Sequence, residues 1–210
     1  ERASDAYVEE SFDTFAESFD EVLNRLEYRA PELVLRALQS RNVKADGQLT
    51  TLDAGCGTGL CGNLLRDYAN RLAGVDLSKG MIDKARDRGI YDELVVAELT
   101  GYMQQHPDAY DLIASADTLC YFGDLRDVLQ AASSALTSQG LLIFTLEKIM
   151  DTQAGESYRL NPHGRYSHDQ EYVTNTLIQS GMHVVNITTD HLRNEGGEPV
   201  TGMVVTAIKK

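Results

Sequence analysis

Tryptophan is absent from the 210 residues, and there are only four prolines and three cysteines. The cysteines, Cys56, Cys61 and Cys120, are odd in number and too sparse for a disulfide framework, which points to a reducing cytoplasm. Cys56 and Cys61 have no second pair of ligands at zinc-site spacing, so no metal is expected. No apolar run approaches the ~18 to 20 residues that a membrane span needs, and the acidic residues 1–10 are not a secretory signal. Basic residues are scarce too. There are 19 Lys and Arg against 32 Asp and Glu, a net charge of −13 that repels phosphate backbones and argues against nucleic acid as a partner. The first residue is Glu1 rather than Met, as in a processed chain or a segment of a longer one.

What is present is the mixture of a soluble globular domain, 42% hydrophobic and 24% charged. Phe12, Phe15, Phe19, Val22, Leu23 and Leu26 recur at three- and four-residue spacing and predict one amphipathic helix over residues 7–26. Pro31 opens a second, 32–39. From there strands are expected at 49–54, 72–77, 93–99, 112–115 and 141–146, with helices at 60–68, 79–88, 100–105 and 125–136 between them. Strands alternating with helices at this spacing imply parallel βαβ crossovers and a sheet covered on both faces, an α/β fold. After an irregular stretch, 151–168, come a helix at 169–180 and two strands, 182–189 and 200–208. The turn chemistry of residues 193–197 joins them, so they must run antiparallel. Residues 1–48 read as a helical cap of the same domain and 49–210 as its core.

The most informative run is Asp53-Ala54-Gly55-Cys56-Gly57-Thr58-Gly59, between the first strand and its helix. Its glycines let the chain turn tightly and leave no Cβ between backbone and ligand. Gly57-Thr58-Gly59-Leu60-Cys61-Gly62 also meets the dinucleotide spacing G-x-G-x-x-G, with Asp76 about 20 residues on, so a nicotinamide cofactor is one reading. Charge favours another. A pyrophosphate wants amide donors without an anion nearby, whereas Asp53 stands at the strand end. S-adenosylmethionine has no phosphate and carries a sulfonium and an ammonium. Asp76 suits a ribose diol in either case.

Gly55 to Gly59, the Val75-Asp76-Leu77-Ser78-Lys79-Gly80-Met81 run, Tyr110-Asp111-Leu112-Ile113 and Leu136-Thr137-Ser138-Gln139-Gly140-Leu141 together resemble the class I S-adenosylmethionine-dependent methyltransferases. The resemblance implies a doubly wound, Rossmann-like sheet of seven strands with one antiparallel strand in the last hairpin. It also implies S-adenosylmethionine as cofactor, with S-adenosylhomocysteine as product. Carried over residue by residue, the cofactor site comprises Asp53, Gly55, Cys56, Gly57, Gly59, Asp76, Leu77, Met81, Glu98, Leu99 and Asp117. Glu98 stands where this superfamily often has Asp toward the adenine, and a single Gly140 replaces a glycine pair. A narrower set, including Phe12-Asp13, Tyr28-Arg29-Ala30-Pro31, Tyr121-Phe122-Gly123 and Gly164-Arg165-Tyr166-Ser167-His168, is similar to methyltransferases often found behind tetratricopeptide repeats. That likeness implies a repeat domain preceding this segment.

On the acceptor side Tyr121 and His168 are candidate catalytic groups, His168 as a base for a hydroxyl. Tyr7, Phe12, Arg165 and Tyr166 are candidates to bind the acceptor, Arg165 by forking onto a carboxylate or phosphate. The bland alternatives are that the phenylalanines form a buried stripe, that Met81 is core, and that Arg165 pairs with a carboxylate while His168 caps the following helix. The expected function is methyl transfer to oxygen or nitrogen of a small molecule, against a non-catalytic cofactor-binding module or a nicotinamide-dependent oxidoreductase. His106, His163, His183 and His191 have no partners by spacing and receive no role. Oligomeric state is not legible.

Overall fold

The computed structural model describes residues 10, 12–14, 16–151 and 155–210. The long helix expected over 7–26 is interrupted. Residues 12–14 are helical, 16–18 form a turn, and helix α1 covers Phe19–Arg25. Tyr7 and Phe15 lie outside the described residues. Helix α2, Ala30–Ser40, carries Pro31 in its first turn, where the missing amide would have had no partner.

Strand β1 (Leu49–Ala54) is flanked on both sides by parallel neighbours, β2 (Ala69–Asp76) and β4 (Tyr110–Ser115). Outside them lie β3 (Glu93–Val96) and β5 (Leu136–Lys148), also parallel. The final hairpin, β8 (Met182–Glu195) and β9 (Glu198–Lys209), joins through β9, which is antiparallel to both β5 and β8. The order β3-β2-β1-β4-β5-β9-β8 is therefore the expected seven-stranded arrangement. The hairpin strands are longer than the sequence predicts, and only Gly196 and Gly197 turn. Both have positive φ, 60° and 87°, which glycine adopts freely and which the tightest hairpin turns require.

Alternation along the strands sends side chains to two separate cores. Ile113 of β4 joins the cluster formed with helices α5 (Leu99–Gln104), α6 (Arg126–Ala135) and α7 (Gln170–Gln179). Its neighbours Leu112 and Ala114 join the opposite cluster with α2 and α3 (Leu60–Leu65). Helix α4 (Lys79–Asp87) follows β2 and begins at Ser78, whose hydroxyl accepts from the Met81 amide at 3.1 Å.

The stretch expected to be irregular holds two short strands. They are β6 (Tyr158–Leu160) and β7 (Tyr166–His168), paired antiparallel. Glu147 of β5 pairs with Gly202 of β9 and with Ser167 of β7, whereas β4 reaches only Phe144. Hence β7 takes the side of β5 that β4 has vacated and overhangs the carboxyl end of β4.

Candidate active site

Ligands of open α/β sheets bind outside the carboxyl ends of the strands, and here four successive strand ends open into one cavity of about 510 Å³. They contribute Gly55, Cys56, Gly57 and Thr58 after β1, Asp76 and Leu77 at β2, Ala97 and Glu98 after β3, and Ala116, Asp117 and Thr118 after β4. Asp76 is oriented by two backbone amides, one on each oxygen. Gly57 donates to Oδ2 and Ser78 to Oδ1, both at 2.9 Å. Burial raises its carboxyl above the ordinary value, and the amides partly offset this. Gly57 has φ +53°, and the nearest atom to a Cβ there is a Phe19 ring carbon at 3.8 Å, so a side chain would intrude between loop and cavity wall. Gly55 is required for a different reason. A Cβ would lie 2.2 Å from Thr118, whose hydroxyl donates to the Gly55 carbonyl at 3.1 Å.

Glu98 and Leu99 both line the cavity, but the Glu98 carboxylate also caps α5. It accepts from the Thr100 amide at 2.9 Å and the Gly101 amide at 2.7 Å. Leu77 and the buried Met81 lie beside Asp76 in the lining. Cys56 and Cys61 reach the cavity as buried thiols with raised pKa, the result of burial, so neither is an activated thiolate.

Two expected cofactor residues do not reach the cavity. Asp53 is 1% exposed beneath the loop, and its Oδ2 accepts the Tyr91 hydroxyl at 2.6 Å. Gly59 sits at the head of α3 with φ +90° and serves the turn itself.

The N-terminal segment forms one wall. The Phe12 ring meets Tyr121 edge-on, centroids 5.5 Å apart, and Phe19 at 5.9 Å. Phe19, Val22, Leu23 and Leu26 extend that wall. Polar contacts tie the segment to the cofactor side. Asp13 accepts from the Ser78 hydroxyl at 2.5 Å and the Gly80 amide at 2.9 Å, which lowers its pKa. Asp20 accepts from Thr58 at 2.5 Å and pairs with Arg88, and Lys84 pairs with Glu17 at 2.9 Å.

The far end is ionic. Arg193, 3% exposed, bonds Asp117 at 2.6 Å and also Glu147, which is itself 2% exposed. Arg165 donates Nε to Glu147 at 3.0 Å and pairs with Glu195. Its fork is thus largely engaged by protein carboxylates rather than free for an acceptor. Burial raises the carboxyl of Asp117, with Arg193 opposing. Asp117 also holds φ +54°, an uncommon backbone for a non-glycine residue. His163 lies 3.6 Å from Glu147. Ligand atoms of Glu147, His163 and Glu195 fall within 4.8 Å of one another, but the two arginines already neutralise those carboxylates.

His168 and Tyr166 stand away from this end. His168 is fully buried with Nε2 3.0 Å from the Gly123 carbonyl, clustered with the rings of Tyr158 and Tyr172. Burial lowers its pKa to about 4, so the ring is neutral at physiological pH but has no access to an acceptor. Neither does it cap α7, whose cap is Asp169. Tyr166 is buried against Tyr158 inside the β6–β7 hairpin and does not line the cavity. Sequence reasoning missed Tyr28, Thr118, Glu147, His163, Arg193 and Glu195. Only Glu147, a charge directly after the mostly apolar run 141–146, left a signal.

Strand order and strand-end cavity are those of the class I methyltransferase fold. Residues 52–144 match the family profile described as a methyltransferase domain. The malonyl-[acyl-carrier protein] O-methyltransferase of Acetivibrio thermocellus is 33% identical over 110 residues, 51% of this chain and 39% of that protein. The 18S rRNA (guanine-N(7))-methyltransferase of Bos taurus is 31% identical over 96 residues, 44% of this chain and 34% of the relative. The chain thus spans well under half the length of these relatives. An S-adenosylmethionine-dependent methyltransferase structure from Mesorhizobium loti superposes with a TM-score of 0.61 at 22% identity, covering 83% of this chain and 95% of that one. The Asp76 carboxylate at the β2 end and the Cβ-free cradle at Gly57 fit this cofactor. Among the described residues, no helix is long and apolar enough to cross a membrane.

Proposed function

We propose that this protein transfers a methyl group from S-adenosylmethionine to oxygen or nitrogen of a small-molecule acceptor. The observation that carries the reading is one cavity with two chemically different ends, a strand-end cradle around Asp76 and an aromatic and ionic end around Tyr121, Arg165 and Glu195. The cofactor supplies an activated methyl on a sulfonium, already a good leaving group. What the chain must contribute is alignment and exclusion of water. Gly57 and Asp76 would hold the ribose side, Leu77, Met81 and Leu99 the adenine faces, and Glu98 the adenine edge to the extent that its capping role allows. Phe12 and Tyr121 would flank the acceptor, and Arg165 would meet an acceptor anion only beside Glu195. Residues 1–48 act in this reading as the cap over cofactor and acceptor. His168 supports the wall instead, by holding the Gly123 carbonyl.

A small molecule is favoured over RNA by the net charge of −13. A nicotinamide-dependent oxidoreductase is disfavoured by the closing hairpin, in which β9 is antiparallel to both β5 and β8. The kinship with methyltransferases that follow tetratricopeptide repeats, and a cytoplasmic setting, belong to the same reading. Calorimetry with S-adenosylmethionine, S-adenosylhomocysteine and NAD tests it, followed by methyl-labelled cofactor and a panel of small phenols, carboxylic acids and amines. Binding of both sulfur compounds with label transfer is expected. Binding without transfer to any acceptor supports the non-catalytic module, and NAD binding alone refutes the assignment.

A further inference from the structure

We propose that Tyr91 is a positioning residue for the cofactor loop, holding Asp53 and, through it, the junction of β1 with α3. The inference rests on the methyltransferase reading and adds a residue outside the cavity. Tyr91 lies in the connection from α4 to β3, and three glycines, two at the start of α3 and one in β2, make room for it. A Cβ at Gly62 would lie 2.1 Å from its hydroxyl, at Gly74 2.8 Å from its ring, and at Gly59 3.0 Å from its ring. At Gly62 all the nearest atoms belong to Tyr91, at Gly74 Leu94 is equally near and at Gly59 Arg88 is, so Tyr91 is the neighbour that the three share.

The ring's own place is fixed from both sides. Arg66 donates to the Ile90 carbonyl at 3.1 Å and to Asp92 at 2.7 Å, and Asp92 accepts the Leu72 amide at 2.7 Å. Tyr91 then donates to Asp53 Oδ2 at 2.6 Å. Burial and the Asp53 charge both raise the phenol's pKa, so Tyr91 remains the donor. Arg88, from the same connection, bonds the Thr58 carbonyl. The α4–β3 connection therefore grips the loop twice, outside at Thr58 and beneath at Asp53.

Asp53 is faced by Tyr91, by Asp76 at the end of β2, by Cys56 of the loop and by Cys61 and the Gly62 amide of α3. None of these is a cation. Burial lifts its carboxyl to about 7, and the Tyr91 hydrogen bond opposes that rise. Without the hydroxyl, Asp53 ionises at higher pH, and a loop that receives a cationic ammonium loses the carboxylate beneath it near neutrality.

The test is the dissociation constant of S-adenosylhomocysteine, by calorimetry at pH 6, 7 and 8, for wild type, Tyr91→Phe, Asp53→Asn and the double variant. Wild type should bind more tightly as pH rises across this interval. Tyr91→Phe keeps the ring and should weaken binding at pH 7 by about fivefold or more, with the rise displaced to higher pH; Asp53→Asn should flatten the profile. Coupled residues are non-additive, so the double variant should match Asp53→Asn within about twofold. A Tyr91→Phe protein with unchanged affinity and profile, even if it melts earlier, overturns the proposal, as does additivity of the two changes. If Tyr91→Phe does not fold, Asp53→Asn decides: an unaltered profile overturns the proposal and a flat one supports it. A wild type that binds neither S-adenosylhomocysteine nor S-adenosylmethionine at any pH defeats the methyltransferase reading first.

Discussion

Asp76 shows how much of a binding residue is set by backbone. Each carboxylate oxygen is aimed by one amide, from Gly57 and from Ser78, and retains acceptor capacity toward the cavity. Hydrogen bonds to a charged acceptor are worth roughly 1.5 to 3 kcal/mol each. Asp76→Ala should therefore weaken S-adenosylhomocysteine binding by about tenfold or more, measured by calorimetry, with the far-ultraviolet spectrum of a folded chain; an unchanged constant places the ribose elsewhere. His168 makes a prediction of another kind. Its folded pKa of about 4 lies below the ordinary 6.5, so the unfolded chain binds more protons between those values. The neutral ring's contribution is complete above about pH 6.5 and is lost as pH falls through 4, on the order of 3 kcal/mol in all. Asp53, raised to about 7, acts in the opposite direction from pH 3.8 to 7. The measurement is thus the difference in urea stability between wild type and His168→Gln, which should narrow as pH drops from 6.5 to 4. A constant difference would mean that the imidazole is not buried neutral.

At the scale of elements, the N-terminal segment and the β6–β7 hairpin both contribute to the cavity wall. Residues 12–20 of the first are held by side chains, Asp13 on Ser78 and Gly80 and Asp20 on Thr58 and Arg88. The second is held by strand pairing with β5 and by His168 on Gly123. Side-chain ties at a half-open surface are weak and screened, so the segment is the element suited to opening for exchange. Asp13→Asn should speed S-adenosylhomocysteine release a few-fold, about threefold or more, in stopped-flow displacement, while its melting temperature stays close to wild type. Release at the wild-type rate would assign the gate to another element. The irregular look of the 151–168 stretch follows from strands only three residues long, too short to show a period. Likewise the helix expected over 7–26 reads as continuous because the apolar spacing continues through the turn at 16–18, while Phe12 and Phe19 line the cavity.

For the molecule as a whole, 32 acidic against 19 basic residues leave a surface that repels itself. Screening shortens the range of that repulsion to about 3 Å at 1 M salt, so the melting temperature should rise between 0.05 and 1 M KCl, as followed by circular dichroism; a fall would mean that the surface ion pairs outweigh the net charge. Much of the architecture was legible in sequence because it rests on local pattern. Residues 49–54 form a short run stopped by Gly55, 79–88 begin at Ser78, and the closing strands are too near each other to be parallel. Asp76, Gly57 and Asp117 were legible because a motif places them at strand ends. Asp53 and His168 were misjudged for one reason: a sequence position says which strand end a residue occupies, but not which side of the backbone receives its side chain. Arg193, Glu147 and Glu195 come from strands β5 and β8, which never pair with each other, and Tyr91 meets Gly59, Gly62 and Gly74 only after α3, α4 and β2 have packed. Local sequence determined the fold class and the glycine cradle through backbone preference and periodicity. Tertiary structure alone decided the ionic end of the cavity and the support beneath the loop, because those contacts join residues whose nearness comes from packing and not from spacing.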